Sequence, residues 1–394
     1  MCVCDIIFID FLVKRGKIMA DVKTHLRELG VLVGVSNSIN NLGKDPNTIT
    51  VSEFCAIADS LVPTSKHAYY NNIRTISFGV VERSIIVNAF NLANYIILKL
   101  NISTLTSSNW YGYDSGKVDP VDIEINNMKF SLKEDSFILE NMGLYKLVNC
   151  YTGTTYKKRH IFKDYAPVDY DNWFTVTWNL LIKYLSENSN VWNYTNPKNY
   201  NKTATIILSA TDVKMIYNNG VSQSRAVLPI TCTLIDYEKS TDSDIREGVF
   251  AKFIKTNLEH DALYNSAKKT CAVNASNALA NELLTKFKYS PNLARFLRIH
   301  TNQYYYAKTT AAGVELYDVP GFAQFTKTIE VVSIVGSVPD KQANILTTIK
   351  NLTTGKELVL RNECRFSHGQ FNGTPEAKLY YDNGCTLEVI YNKL

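Results

Sequence analysis

A short segment in the first half of the chain constrains the fold most strongly, because it predicts two paired strands in a fixed register. Apolar and polar residues alternate in 118–125 and again in 128–133, and Asn126-Asn127 separates the two runs. Asparagine tolerates the positive φ angles that a two-residue hairpin turn requires. The segment therefore predicts an antiparallel hairpin whose two faces differ in polarity.

The polar face of this hairpin carries charged side chains that a hydrophobic core does not need. Asp122 and Glu124 share one face of the first strand, and Ser131 and Lys133 share one face of the second. The short turn puts Asp122 opposite or diagonal to Ser131 and Lys133. Carboxylates can hold Mg²⁺, and a neighbouring lysine can neutralise charge that develops on a phosphate. The alternative is a cross-strand ion pair on a solvent-exposed face.

These residues resemble the motif of the PD-(D/E)xK nucleases, a superfamily that includes many type II restriction endonucleases. In that family an aspartate opens one strand, and an acidic residue, one spacer and a lysine follow on the neighbouring strand. Here 119–123 matches the first element, and Ser131-Leu132-Lys133 matches the second. The resemblance covers roughly 67–210. It implies an α/β (α+β) fold: a restriction-endonuclease-like core with a central mixed β-sheet flanked by helices, and a β-rich C-terminal portion.

The chain departs from the family pattern at one position, because Ser131 stands where an acidic residue is usual. Family members of this kind often recruit a carboxylate from elsewhere, and a helix that precedes the strands is a common source. The candidates are Glu124 on the same hairpin, Asp135 just beyond it, and Glu82 at the start of an apolar helix.

The resemblance implies a Mg²⁺-dependent DNA endonuclease that cuts double-stranded DNA at specific sequences, as a type II restriction enzyme does. Asp122 would be the chief metal ligand, Glu82 or Glu124 the supplementary one, and Lys133 the charge-stabilising lysine. The Ser131 hydroxyl or the Leu132 carbonyl would take part in coordination. A homodimer is implied by the same resemblance. The alternatives are a non-catalytic viral DNA-binding or structural protein, and a structure-specific repair or junction nuclease.

A second polar cluster lies at 361–381, where basic and amide side chains alternate with aromatic ones. Arginine, glutamine and asparagine can pair with base edges in the major groove, so the segment is a candidate DNA-reading element. The residues concerned are Arg361, Arg365, His368, Gln370, Asn372 and Lys378. The sequence leaves two other interpretations open. The segment also fits a structural turn, and Glu376-Ala377-Lys378 also fits a rival catalytic centre.

A third feature is the basic stretch Lys157-Lys158-Arg159, which follows the hairpin in sequence and suits contact with phosphates. A solvated loop is the alternative. The net charge of +5 is compatible with a polyanionic partner. Sequence signatures of serine hydrolases, P-loop proteins and zinc proteases are absent, and the eight cysteines form no Cys-x-x-Cys pair.

No apolar run is long enough to span a membrane, and we expect a cytoplasmic protein of a bacterium or a virus-infected cell. Residues 1–18 are interpreted as an extension upstream of a more ordinary start at Met19. The chain is predicted to divide into a catalytic core at 19–240 and a C-terminal region at 241–394 for DNA recognition or dimerisation.

Hydrophobic periodicity predicts helices mainly in the first two thirds of the chain and strands mainly toward its C-terminus. The expected helices are 21–34, 52–62 with Ser52 as N-cap, 67–100, 136–150, 172–187, 244–258 and 262–287. Beyond the hairpin, the expected strands are 203–210, two strands within 212–230, 303–309, 329–336, 357–366, 377–382 and 386–391.

Overall fold

The computed structural model describes residues 22–112, 121–134, 136–153, 160–286, 294, 296–310, 313–325, 327–381 and 386–394. In these ranges no helix is long and apolar enough to cross a membrane. The chain forms two compact units, each built from separate stretches of sequence. Unit 1 comprises the chain up to Ser136, Leu297–Lys327 and Thr386–Leu394, and unit 2 comprises Phe137–Phe296 and Thr328–Cys385. Unit 2 runs through residue 240 without interruption.

Unit 1 begins with helices. They are α1 (22–39), α2 (Val51–Leu61), a 3-10 stretch (Thr64–Thr75) and α3 (Val80–Leu100). The Thr50 side chain caps α2 and Glu53 completes a capping box, so the prediction of Ser52 as N-cap was wrong by two residues. The predicted helix over 67–100 is interrupted at 76–79, ahead of α3.

The sheet of unit 1 has six strands in the order β1-β2-β3-β9-β10-β15. They are β1 (Ser108–Trp110), β2 (Ile123–Ile125), β3 (Met128–Glu134), β9 (Tyr304–Thr310), β10 (Gly313–Val319) and β15 (Asn392–Lys393). β3 and β9 run parallel, and the other neighbours run antiparallel. The sheet is therefore mixed, and the predicted α/β class is confirmed at this level.

The helices of unit 1 share a hydrophobic core with one face of this sheet. Ile123, Phe130 and Leu132 are fully buried there, and burying one such side chain contributes about 1.5–3 kcal/mol. Close helix packing contributes as well. A Cβ at Gly30 in α1 would lie 2.8 Å from the Cβ of Ala89 in α3, closer than carbon atoms pack. The core therefore fixes the apolar face of the hairpin and leaves the opposite face for polar groups.

Unit 2 contains a five-stranded antiparallel sheet in the order β11-β12-β13-β14-β4. Its strands are β4 (Ile138–Gly143), β11 (Ile329–Ser337), β12 (Ala343–Asn351), β13 (Glu357–Arg365) and β14 (Glu376–Tyr381). The prediction of one helix over 136–150 was wrong in its first half. That half forms β4, because pairing with β14 supplies its hydrogen bonds. The strand predicted at 386–391, in unit 1, is instead a 3-10 turn at Leu387–Val389.

A second sheet of unit 2 has the strands β5 (Val191–Asn196), β6 (Asn199–Leu208), β7 (Asp212–Asn218) and β8 (Gln223–Pro229), paired in chain order. The hairpin predicted around Asn218-Asn219-Gly220 is confirmed, and Gly220 has a φ of +92°. The helices of unit 2 are α4 (Leu144–Thr152), α5 (Ile161–Tyr165), α6 (Pro167–Glu187), α7 (Leu234–Ser240), α8 (Ser243–Ile245), α9 (Ala251–Phe253) and α10 (Ala262–Thr285). Two π-helical stretches, Arg246–Phe250 and Ile254–Leu258, flank α9.

Candidate active site

The β2–β3 hairpin has the predicted turn and antiparallel pairing. Asn126 and Asn127 have φ angles of +49° and +65°, as a tight turn between twisted strands requires. Ile123 pairs with Phe130 and Glu124 pairs with Lys129. Asp122 stands just before β2, where its backbone N–H donates to the Phe130 carbonyl at 2.8 Å.

Asp122 and Lys133 lie together on the polar face. The Leu132 N–H donates to Asp122 Oδ2 at 2.6 Å, and the Ser131 hydroxyl donates to the same oxygen at 3.5 Å. Lys133 Nζ lies 4.0 Å from this oxygen. The exposed fractions are 13% for the Asp122 side chain and 29% for Lys133, so the pair is half-buried but open to a ligand. All three contacts go to Oδ2, which leaves Oδ1 without a partner among the described residues.

A third charged residue, Glu28 on α1, completes the cluster and was not found from the sequence. Glu28 is only 3% exposed, and the Trp110 indole N–H donates to its carboxylate at 2.7 Å. Burial, followed by the negative charge of Asp122, raises the pKa of Glu28 to about 8, although Trp110, Arg27 and Lys133 oppose the shift. Two carboxyl groups therefore interact beside one lysine, an arrangement characteristic of functional sites.

A sequence signal for Glu28 did exist. It is the only carboxylate in 22–39, and that helix is otherwise dominated by apolar residues. A lone acidic group among apolar neighbours is rare unless it is paired or functional. The helix was predicted, but no local pattern connects it to a hairpin that follows many residues later.

The two supplementary carboxylates predicted from the sequence are placed elsewhere. Glu82 accepts the backbone N–H of Gly79 at 3.0 Å and caps the start of α3. Glu124 accepts the Tyr111 hydroxyl at 2.5 Å. No hydrogen bond or ion pair joins either carboxylate to Asp122 or Lys133, which all lie in described parts of the chain. The third candidate, Asp135, lies outside the described residues, as does 113–120 at the start of the matched motif.

The donor set suits one hard divalent cation. Such ions take carboxylate oxygens together with water. Oδ1 of Asp122 has no partner among the described residues, and the Glu28 carboxyl, which accepts from Trp110, interacts with Asp122 through its charge. A cation would offset the repulsion from Asp122, which adds to the effect of burial in raising the pKa of Glu28. Over the described ranges, no group of three or more His, Cys, Asp or Glu side chains is arranged to hold a metal ion. A bound cation would therefore take two carboxylates as its protein ligands and water at its other coordination positions.

The second polar cluster is held largely by its own internal pairs. Arg361 lies over the Tyr380 ring at 4.4 Å and 3.7 Å from Glu363, which also lies 3.9 Å from Arg365. Lys378 lies 3.7 Å from a carboxylate oxygen of Glu376. These residues stand on the adjacent strands β13 and β14. The match to a Glu-x-Lys motif at 376–378 thus has a structural explanation.

The loop 366–375 between those strands is anchored by aromatic side chains. Phe371 is buried with a φ of +60° and lies 4.6 Å, centroid to centroid, from Trp173. Phe366 stacks on Phe162. His368, with a 67% exposed side chain, lies 3.5 Å from Glu247. The aromatic contacts therefore hold the loop in place, while the His368 side chain remains mostly exposed.

Other predicted DNA contacts have separate outcomes. Asn372 donates its side-chain amide to the carbonyl of His368 at 3.1 Å and so helps to shape the loop. Gln370 is half-buried beside it. Lys157, Lys158 and Arg159 lie outside the described residues.

No protein-family model, curated protein or solved structure matches this chain.

Proposed function

We propose that the chain is a Mg²⁺-dependent DNA endonuclease of the restriction-endonuclease-like class, with its active site on the β2–β3 hairpin of unit 1. The observation that carries the proposal is the charge interaction of the buried Glu28 with the half-buried pair of Asp122 and Lys133. The mixed sheet, with a preceding helix that contributes Glu28, supports it further. An acidic residue on such a helix is what the resemblance led us to expect, with Glu28 in the role first given to Glu82.

Each protein group has a definite task in phosphodiester hydrolysis. Asp122 and Glu28 would hold the metal ion, which when bound supplies an acidified water and neutralises phosphate charge. The Lys133 ammonium faces the same space and stabilises negative charge that develops on the phosphate. The Leu132 N–H and the Ser131 hydroxyl fix the orientation of Asp122, so that its second oxygen points consistently.

The substrate proposed is double-stranded DNA, cut in the cytoplasm of a bacterium or of a virus-infected cell. The basic net charge supports a polyanionic substrate. Contacts with DNA would come from the polar loop at His368 and Gln370 and from the basic stretch at 157–159. A homodimer would allow both strands of a palindromic site to be cut.

A cleavage assay tests the proposal. Purified protein is incubated with plasmid and phage DNA in Mg²⁺ or in EDTA, beside a Lys133→Ala variant. The matched control is Lys129→Ala, which removes a lysine from the same strand and face, next to the turn. Discrete fragments that require Mg²⁺, vanish with Lys133→Ala and persist with Lys129→Ala would support the proposal. DNA that is bound but stays intact under all conditions would favour a non-catalytic DNA-binding protein instead.

A further inference from the structure

Unit 2 contains a cavity that the proposed active site does not use. Its volume is about 450 Å³, within the range of small-molecule sites. The lining comes from the π-helical region around α9, the first turns of α10, residues 340–342 and the loop at 366–370. All of these segments belong to unit 2.

The lining carries a small excess of positive charge, because it holds more lysines than carboxylates. Four lysines contribute to it: Lys252, Lys255, Lys268 and Lys341. Lys268 is half-buried on α10, and it forms no ion pair or hydrogen bond with any described residue. Burial and the like charge of Lys341 both lower the pKa of Lys268. A cation held in this way lacks an ion-pair partner among the described residues, and burying it costs free energy unless one is supplied.

Carboxylates on the same lining do not fill that role. Asp340 and Glu259 favour the charged form of Lys268, but neither comes within ion-pair distance of it. Glu247 lies beside His368 instead. A bound anion would therefore complete the electrostatics of the cavity, whereas a cation or a purely apolar ligand would leave Lys268 uncompensated.

Groups that can contact a planar polar ring line the rest of the cavity. The Asn265 side-chain amide donates to the Glu259 carbonyl at 3.0 Å, and its Oδ1 is buried with no hydrogen-bond partner among the described residues. The amide of Gln370 and the aromatic ring of Phe366 share the lining. An amide can bond to the edge of a nucleobase, and an aromatic ring can stack on its face.

We propose that this cavity binds a nucleotide, with Lys268 and Lys341 contacting its phosphate and Asn265 contacting its base. The ligand chemistry is that of a phosphate ester of a nucleoside, present either as a free nucleotide or as one residue of a nucleic-acid strand. The site is independent of the hairpin, so the proposal does not depend on nuclease activity.

Isothermal titration calorimetry tests the site with three probes: inorganic phosphate, a mixture of the four deoxynucleoside 5′-monophosphates, and a short single-stranded oligonucleotide. The full chain carrying Asp122→Asn is used, so that any hydrolysis at the hairpin cannot consume a probe. We expect a dissociation constant of roughly 1 mM or tighter for the monophosphates or for the oligonucleotide. Whichever of the two binds more tightly identifies the source of the nucleotide.

Lys268→Met should weaken that binding at least tenfold, while Lys269→Met, which changes the exposed neighbour on the same helix, should leave it unchanged. Asn265→Ala should weaken nucleotide binding but not phosphate binding. Thermal melting checks that each variant is folded. The proposal is overturned if no probe binds, if inorganic phosphate binds as tightly as the nucleotides, or if the two lysine variants behave alike. Loss of DNA cleavage alone would bear only on the hairpin site.

Discussion

The hairpin of unit 1 and the polar strands β13 and β14 of unit 2 carry similar residue types but use them differently. At the hairpin, Glu28 is buried with a strongly raised pKa beside Asp122. On β13 and β14, arginines, glutamates and a lysine pair with one another at 3.7–3.9 Å on partly exposed strands. The cluster with more charged residues is thus the one whose charges are more fully paired with one another. A site is marked by charges that lack compensation, and the number of charges is a poorer guide.

Neutralising one carboxylate at the hairpin and one on β13 and β14 would test this comparison most directly. Asp122→Asn should reduce the DNA cleavage rate by roughly a hundredfold to a thousandfold or more, because the metal ligand and the orientation of Lys133 are lost together. Glu376→Gln should leave the rate within about threefold, since Glu376 serves Lys378. Single-turnover cleavage measures both variants. Equal losses would mean that the catalytic centre had been assigned to the wrong strands.

The buried carboxyl of Glu28 gives a stability signature of several kcal/mol, because each unit of pKa shift corresponds to about 1.4 kcal/mol. Its pKa is raised in the folded state from 4.5 to about 8. The folded chain therefore binds the proton more tightly than the unfolded chain. The stabilisation is complete below pH 4.5 and is lost as the pH rises to about 8.

Glu28→Gln keeps a hydrogen-bond acceptor for Trp110 and should remove this decline, which urea unfolding at a series of pH values would measure. Glu82→Gln is the matched control and should retain the decline, since Glu82 caps α3 at the surface. A decline that persists in Glu28→Gln would show that another group titrates.

In unit 2 the pH effect has the opposite sign. Burial, followed by the charge of Lys163, lowers the pKa of His160 from 6.5 to about 4. The folded state thus holds His160 neutral, and stability is present above pH 6.5 and is lost as the pH falls toward 4. His160→Asn can still cap α5 and should remove this acid limb, the loss of stability at low pH. The loss in unfolding free energy amounts to up to about 3 kcal/mol.

His368→Asn is the control for that measurement, because His368 is mostly exposed. It should leave the acid limb intact in a pH series of thermal melts. Identical flattening in both variants would remove His160 from the explanation.

The smallest effect is expected where the charges are paired and partly exposed. Arg365→Ala should change the free energy of unfolding by less than about 1 kcal/mol, because exposed ion pairs contribute little. Arg361→Ala should cost slightly more, since the stacking on Tyr380 is lost as well. Chemical denaturation resolves the two. A loss of more than about 2 kcal/mol of unfolding free energy in Arg365→Ala would contradict the view that its ion pair contributes as little as an exposed one.

Local chemistry explains what the sequence could predict. The hairpin turn at Asn126-Asn127 and the alternation around it are set by adjacent residues, so the close approach of Asp122 and Lys133 could be derived. The strand β4 was read as part of a helix because its short run fits either period, and its partner β14 follows more than 200 residues later. Pairing with a distant strand decided the outcome there.

Dependence on distant residues also explains why Glu28 was not found from the sequence. Glu28 and Trp110 are 82 residues apart in sequence, and only the packing of α1 on the sheet brings Glu28 to the hairpin. Glu82 satisfied the sequence criterion equally well, as an acid at the start of a helix that precedes the strands. Its capping role follows from its position three residues after Gly79, and that local signal could have excluded it.

The parallel pairing of β3 with β9 sets an order on biosynthesis. Lys133 and Thr309, which meet across this pairing, are 176 residues apart. A ribosome adds about 5–20 residues per second, so roughly 9–35 s separate the synthesis of the two strands. During that interval the nascent chain already carries Glu28, Asp122 and Lys133 but lacks the strand that covers the inner edge of β3. Only the first stretch of unit 2, Phe137–Phe296, is synthesised within the same interval. Its four-stranded sheet can therefore form while the sheet of unit 1 is still incomplete, whereas β11–β14 of unit 2 follow later.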